Sequence, residues 1–136
     1  MSHFLDTNVL LYAVSTDPRE ARKRDRAVAL LDLQEGALSV QVLQEFYHQA
    51  TRPTREHALT HTQAARLIES WCRFEVQDMT LALVRSALAI KERHGFSYWD
   101  SAIIAAARAL GTGTLYSEDM SHGRVVEGVT IVNPFL

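Results

Sequence analysis

Short apolar runs alternate with stretches of helical period along the whole of this chain, and that rhythm constrains its fold more than any single residue does. Residues 2–6 read as a strand, with Asp6 or Thr7 capping a helix that runs to about Val14. Asp17-Pro18 turns into a second helix, on which Ala21, Ala27, Val28, Leu30 and Leu31 form an inward stripe and which Gly36 ends. Ala37-Leu38 is a brief second strand. Ser39 then caps a helix whose apolar arc is Val42, Leu43, Phe46, Tyr47 and Ala50, closed by Pro53. Thr60 and Gln63 make a capping box for the helix bearing Ala64, Leu67, Ile68 and Trp71. Residues 74–76 are a candidate strand, and a helix through Leu81, Val84 and Leu88 stops near Gly95. Ser97 opens another helix with Trp99, Ile103, Ala107 and Leu110 on one face and Gly111 just past its end. Strands at 113–116 and 129–132 follow, the second closed by Asn133-Pro134. This alternation predicts an α/β fold, a three-layer α/β/α sandwich with a mainly parallel central sheet. With 136 residues and no repeat, linker or low-complexity tract, one domain over residues 1–136 is expected.

In such a fold the residues that follow the strands gather at the carboxyl edge of the sheet, where open α/β proteins bind ligands. Four acidic residues sit where an apolar run breaks into a turn or a helix: Asp6, Glu45, Asp100 and Asp119. Each has an ordinary reading. Asp6 is a good helix cap, Ser97 with Asp100 resembles a capping box, Glu45 lies on the polar side of its helix, and either Glu118 or Asp119 can face the edge. Gathered together, however, four carboxylates repel unless protons or cations neutralise them. All-oxygen ligands suit Mg²⁺ or Mn²⁺, so the set points to metal-dependent phosphate chemistry.

Other chemistries find less support. The two histidines with ligand-like spacing, His57 and His61, straddle the cap at Thr60 and have no third ligand. No Gly-x-Gly-x-x-Gly, P-loop or Gly-x-Ser-x-Gly pattern occurs. The lone Cys72 shares a helix with Leu67, Ile68 and Trp71, which predicts a structural thiol in a reducing cytoplasm. No apolar run is long enough to span a membrane, and the first residues lack the basic segment of an export signal. The net charge of −2 does not advertise a nucleic-acid binder. Yet 14 basic against 16 acidic residues becomes a basic excess once the four candidate acids are set aside. The basic run from Arg19 to Arg26 reads as a solvated helix face.

Together these residues resemble the PIN-domain ribonucleases, specifically the VapC-type toxins of toxin–antitoxin pairs. Phe4-Leu5-Asp6-Thr7-Asn8-Val9-Leu10 resembles the first acidic motif of that family, and Gln41-Val42-Leu43-Gln44-Glu45-Phe46 the second. Tyr98-Trp99-Asp100-Ser101-Ala102 resembles the third, Tyr116-Ser117-Glu118-Asp119 the fourth, and Asn133-Pro134-Phe135 a common ending. The ordered set is specific where any one motif is weak. The resemblance implies an RNA endonuclease using Mg²⁺ or Mn²⁺, a homodimer, and a cognate antitoxin that silences it. By the same resemblance Asp6, Asp100 and Asp119 are the main ligands, and Glu45 completes the cluster directly or through water. Asn8 and Ser117 hold ligands or waters in place, and Asp119 rather than Glu118 matches the terminal acid. Two rivals remain: a haloacid-dehalogenase-like phosphatase, for which Asn8 stands where a second Asp is expected, and a non-catalytic RNA-binding or interaction module.

Overall fold

The strands of the computed structural model, which describes residues 2–136, are short and lie almost wholly side by side in one direction. Met1, the first residue of the expected domain, lies outside the described residues. The elements in chain order are β1 (His3–Leu5), α1 (Thr7–Ala13), α2 (Ala21–Asp32), β2 (Gly36–Ser39), α3 (Val40–Ala50), α4 (His61–Trp71), β3 (Glu75–Gln77), α5 (Leu81–His94), α6 (Tyr98–Ala109), β4 (Thr114–Tyr116), β5 (Val125–Val126) and β6 (Val129–Val132). A single 3₁₀ turn, Pro18–Glu20, leads into α2. The six strands run in the order β3-β2-β1-β4-β6-β5, all neighbours parallel except β5 against β6. Helices cover both faces, which gives the three-layer α/β/α sandwich the alternation predicts.

The interior follows from the apolar pattern. Phe4, Leu5, Leu38, Leu115 and Ile131 on the strands are fully buried, as expected where both faces of a parallel sheet are covered. On one side, α6 packs against α5 and lies over β2, β4 and β6. Every residue from Ser101 to Ala107 is buried, and the alanines let α6 approach closely between its neighbours. Elsewhere α1 packs on α2 and α3, and α3 packs on α4 and β2. Among the described residues no helix is long and apolar enough to cross a membrane.

Several local expectations change. Gly36 begins β2 instead of ending α2, and its reason is space: an added Cβ would come within 2.9 Å of the Phe74 ring. The α2 stripe narrows to Ala27, Leu30 and Leu31, while Val28 is 39% exposed. The basic side of α2 is not simply solvated. Arg22 Nη2 donates to the Phe135 carbonyl at 3.0 Å, and Arg26 Nε donates to the Pro134 carbonyl at 3.3 Å. Cys72 caps α4 and is exposed, so it contributes nothing to the core. Trp99 likewise lies outside the core. The β5–β6 hairpin has no strong sequence signal. Its two-residue turn needs left-handed backbone at both Glu127 (φ 52°) and Gly128 (φ 84°), and only the glycine advertises that.

Candidate active site

The chain winds outward from β1 in both directions, through β2 to β3 on one side and through β4 to β6 on the other. Such a reversal leaves a crevice at the carboxyl ends of the two central strands. Leu5 pairs with Tyr116, so the residues that follow, Asp6 and Ser117, emerge next to each other. The Asp6 backbone amide donates to the Tyr116 carbonyl at 3.0 Å, which extends the ladder to the very edge.

Asp6, Glu45, Asp100 and Asp119 line one cleft there, of about 260 Å³, together with Thr7, Asn8 and Glu118. Asp6 is the deepest, 7% exposed. Its Oδ1 accepts from the Thr7 amide at 2.7 Å, capping α1, and its Oδ2 accepts from the Ser117 hydroxyl at 2.7 Å. Ser117 itself is fully buried behind Asp6 and does not line the cleft. Burial pushes the Asp6 carboxyl up to about 6. The Ser117 and Thr7 hydrogen bonds oppose that rise, and the Glu45 and Asp100 charges add to it. Asp100 enters from the first turn of α6, its amide bonded to Ser97 Oγ at 3.1 Å. Its carboxyl is also raised, by partial burial and by the Asp119 charge, against a hydrogen bond from Ser97.

Glu45 is held by two side chains to which the sequence reading gives no such role, Gln41 and Thr7. Gln41 Nε2 donates to Glu45 Oε1 at 2.7 Å and to the Trp99 carbonyl at 3.2 Å, tying α3 to α6. Thr7 Oγ1 donates to Glu45 Oε2 at 3.3 Å. Gln41 stands one helical turn before Glu45, and its burial on an otherwise polar side (4% exposed) is visible only in the folded chain.

Glu118 and Asp119 both line the cleft but differ in their partners. Asn8 Nδ2 donates to Asp119 Oδ2 at 3.1 Å while Asn8 Oδ1 accepts from the Glu118 amide at 3.3 Å. Both carboxylate oxygens of Glu118 are engaged elsewhere, one by the Tyr12 hydroxyl at 2.6 Å and the other by Lys23 Nζ at 2.5 Å. Burial pushes the Glu118 carboxyl up, but the hydrogen bonds from Lys23 and Tyr12 outweigh it and hold the group below its usual range. Glu118 is thus the anchor of the loop and Asp119 its exposed acid. Lys23→Met should cost about 1 kcal/mol of stability at pH 7, the range for a partly exposed pair. Because a depressed carboxyl stabilises only while ionised, that deficit should shrink as pH falls below about 4. Paired thermal melts across pH check both the size and the sign.

Every oxygen in the cleft is anionic, amide or hydroxyl, a donor set suited to a hard divalent cation and poorly suited to zinc. Among the described residues no three His, Cys, Asp or Glu side chains are gathered closely enough to hold one ion between them as they stand. Three of the four carboxylates are drawn instead toward separate donors: Asp6 to Ser117, Glu45 to Gln41, Asp119 to Asn8. Aligned charge in one cleft, with a raised carboxyl at its floor, fits a site that a cation would draw inward.

The PIN domain family model matches residues 3–127. No curated protein matches the chain significantly. Among solved structures, a toxin–antitoxin complex from Klebsiella pneumoniae superposes with a TM-score of 0.71 at 18% identity, covering 98% of each chain. VapC20 from Mycobacterium tuberculosis, described as a sarcin-ricin loop cleaving toxin, gives 0.67 at 23% identity over 87% of this chain and 90% of that one. VapBC2 from Rickettsia felis, bound to a DNA fragment from its promoter, gives 0.65 at 19% identity over 96% and 97%. At these identities the likeness is one of fold.

Proposed function

The chain belongs to the PIN-domain family, and from that premise we propose that it is a metal-dependent endoribonuclease, the toxin partner of a cytoplasmic toxin–antitoxin pair. The observation that carries this reading is the acid-lined cleft at the reversal of strand order, with Asp6 buried at its floor and its carboxyl pushed up to about 6. Asp6, Asp100 and Asp119, with Glu45, are the residues that would hold Mg²⁺ or Mn²⁺. The chemistry supplied by such an ion is neutralisation of charge on a phosphodiester and acidification of a water.

The protein's own part is to hold acids in place. Ser117 and the Thr7 amide orient Asp6, Gln41 and the Thr7 hydroxyl orient Glu45, and Asn8 orients Asp119. Such supporting donors matter because they fix which oxygen faces the substrate. The similar structures include toxin–antitoxin complexes and one described as a sarcin-ricin loop cleaving toxin, which supports an antitoxin partner for this chain; RNA as substrate and a second copy as dimer mate belong to the proposal. The phosphatase alternative loses ground, since Asn8 is committed to the 117–119 loop and Lys23 to Glu118.

Incubation of the protein with RNA should yield cleavage in Mg²⁺ or Mn²⁺, none with chelator, and none with Asp100→Asn, whose melting curve should remain cooperative. Tight RNA binding without cleavage under any divalent ion would select the non-catalytic module instead.

A further inference from the structure

Trp99 is 63% exposed, on the first turn of α6 and one residue before Asp100. An indole so placed presents a large aromatic face to solvent beside the acids. Its position is fixed: the ring meets Tyr98 edge-on at 5.1 Å between centroids, and its carbonyl accepts the same Gln41 amide that holds Glu45. It lines the acidic cleft and also a shallow depression beside it with Gln41, Gln44 and Glu45. Arg55 lines the same cleft. Among the described residues it forms no ion pair, although the cleft also contains Glu20, Glu45 and Glu118. The cleft therefore offers an aromatic face and an uncommitted planar cation together with a set of carboxylates that would repel a phosphate chain.

We propose that Trp99 and Arg55 hold the substrate strand in this cleft, one base stacked on the indole and a nearby phosphate gripped by the guanidinium. The inference rests on the ribonuclease reading and adds how the strand is held. Stacking on an aromatic side chain needs a free base face, which a duplex covers with its own neighbours and a single strand leaves open. Arginine suits the phosphate because its fork gives paired hydrogen bonds. On the ribonuclease reading a bound cation offsets the acids, which favours the substrate strand as the occupant.

The test uses Asp100→Asn protein, so that the strand stays intact, with a short mixed-sequence single-stranded RNA and its fully paired duplex, both in Mg²⁺. Trp71 is buried, so quenching of tryptophan emission on RNA addition reports Trp99. Single strands should quench it and bind more tightly than duplex. Trp99→Ala should weaken binding about tenfold, and Trp99→Phe should recover most of that loss. Arg55→Met should weaken binding and lower the salt slope by about 0.7. Unchanged affinity in Trp99→Ala and an unchanged salt slope in Arg55→Met overturn the proposal. So does a Trp99→Ala protein that changes its mass by light scattering yet binds RNA normally, which would give the indole to a protein contact. In either case chelator-sensitive cleavage by the unaltered protein would leave the ribonuclease reading standing. Failure of that cleavage would remove both.

Discussion

Asp6→Asn should make the metal-free protein more stable while removing its RNA cleavage. The carboxyl at position 6 is pushed from 3.8 to about 6 on folding, chiefly by burial. The folded state then binds a proton more tightly than the unfolded chain, so ionisation costs stability above the unfolded value. At about 1.36 kcal/mol per pKa unit the cost is about 3 kcal/mol at pH 8, about half that at pH 5, and none by about pH 3. Asparagine escapes it without losing the hydrogen bonds. Its oxygen can accept from the Thr7 amide and its amide can donate to the Ser117 hydroxyl, replacing contacts of 2.7 Å each. Asparagine is also as good a helix cap as aspartate. Thermal melts of the two proteins in chelator should therefore diverge as pH rises and converge as it falls. His3, whose ionisation burial disfavours, is common to both and cancels in the difference. An Asp6→Asn protein less stable than its parent at pH 8 would mean that Asp6 is a structural cap and nothing more.

The parts of this site that the bare sequence discloses are those set by chain-local rules. Asp6 and Asp119 follow buried strands, and parallel strands that begin a layer together must end near one another. Ser97 and Ser39 cap helices because a hydroxyl just ahead of an apolar-periodic run has orphan amides to satisfy, and both accept them here. What stays hidden depends on which elements become neighbours. Gln41 looks like any polar helix residue until α6 brings the Trp99 carbonyl within 3.2 Å of it. Lys23 belongs to a basic run that reads as solvent-facing, yet Glu118, far along the chain, returns to meet it. Trp99 misleads in the opposite sense. It keeps helical spacing with Ile103, but the first turn of α6 stands beside the cleft, whereas the turns bearing Ser101 to Ala107 are enclosed. Periodicity gives the direction of a side chain and not whether anything lies there to meet it.

Addition of Mg²⁺ or Mn²⁺ should raise the melting temperature, with the largest rise at high pH. Four carboxylates share one cleft, and two of them, Asp6 and Asp100, carry raised values because burial and neighbouring negative charges disfavour their ionisation. A cation binding only the folded protein relieves that repulsion, and at a hundred times its dissociation constant it stabilises by about 2.7 kcal/mol. Protons compete for the same oxygens, so the gain should fade as pH drops through about 6, where Asp6 becomes protonated. Asp6→Asn and Asp100→Asn should each blunt the rise, although the first begins from a more stable protein. Glu118→Gln should leave the rise nearly intact, because both oxygens of that residue already serve Lys23 and Tyr12. That contrast separates a cation held by this particular set of acids from one attracted to the protein's general charge. A shift equal in all four proteins, or one that vanishes on raising monovalent salt, would assign the acids to capping and surface charge alone.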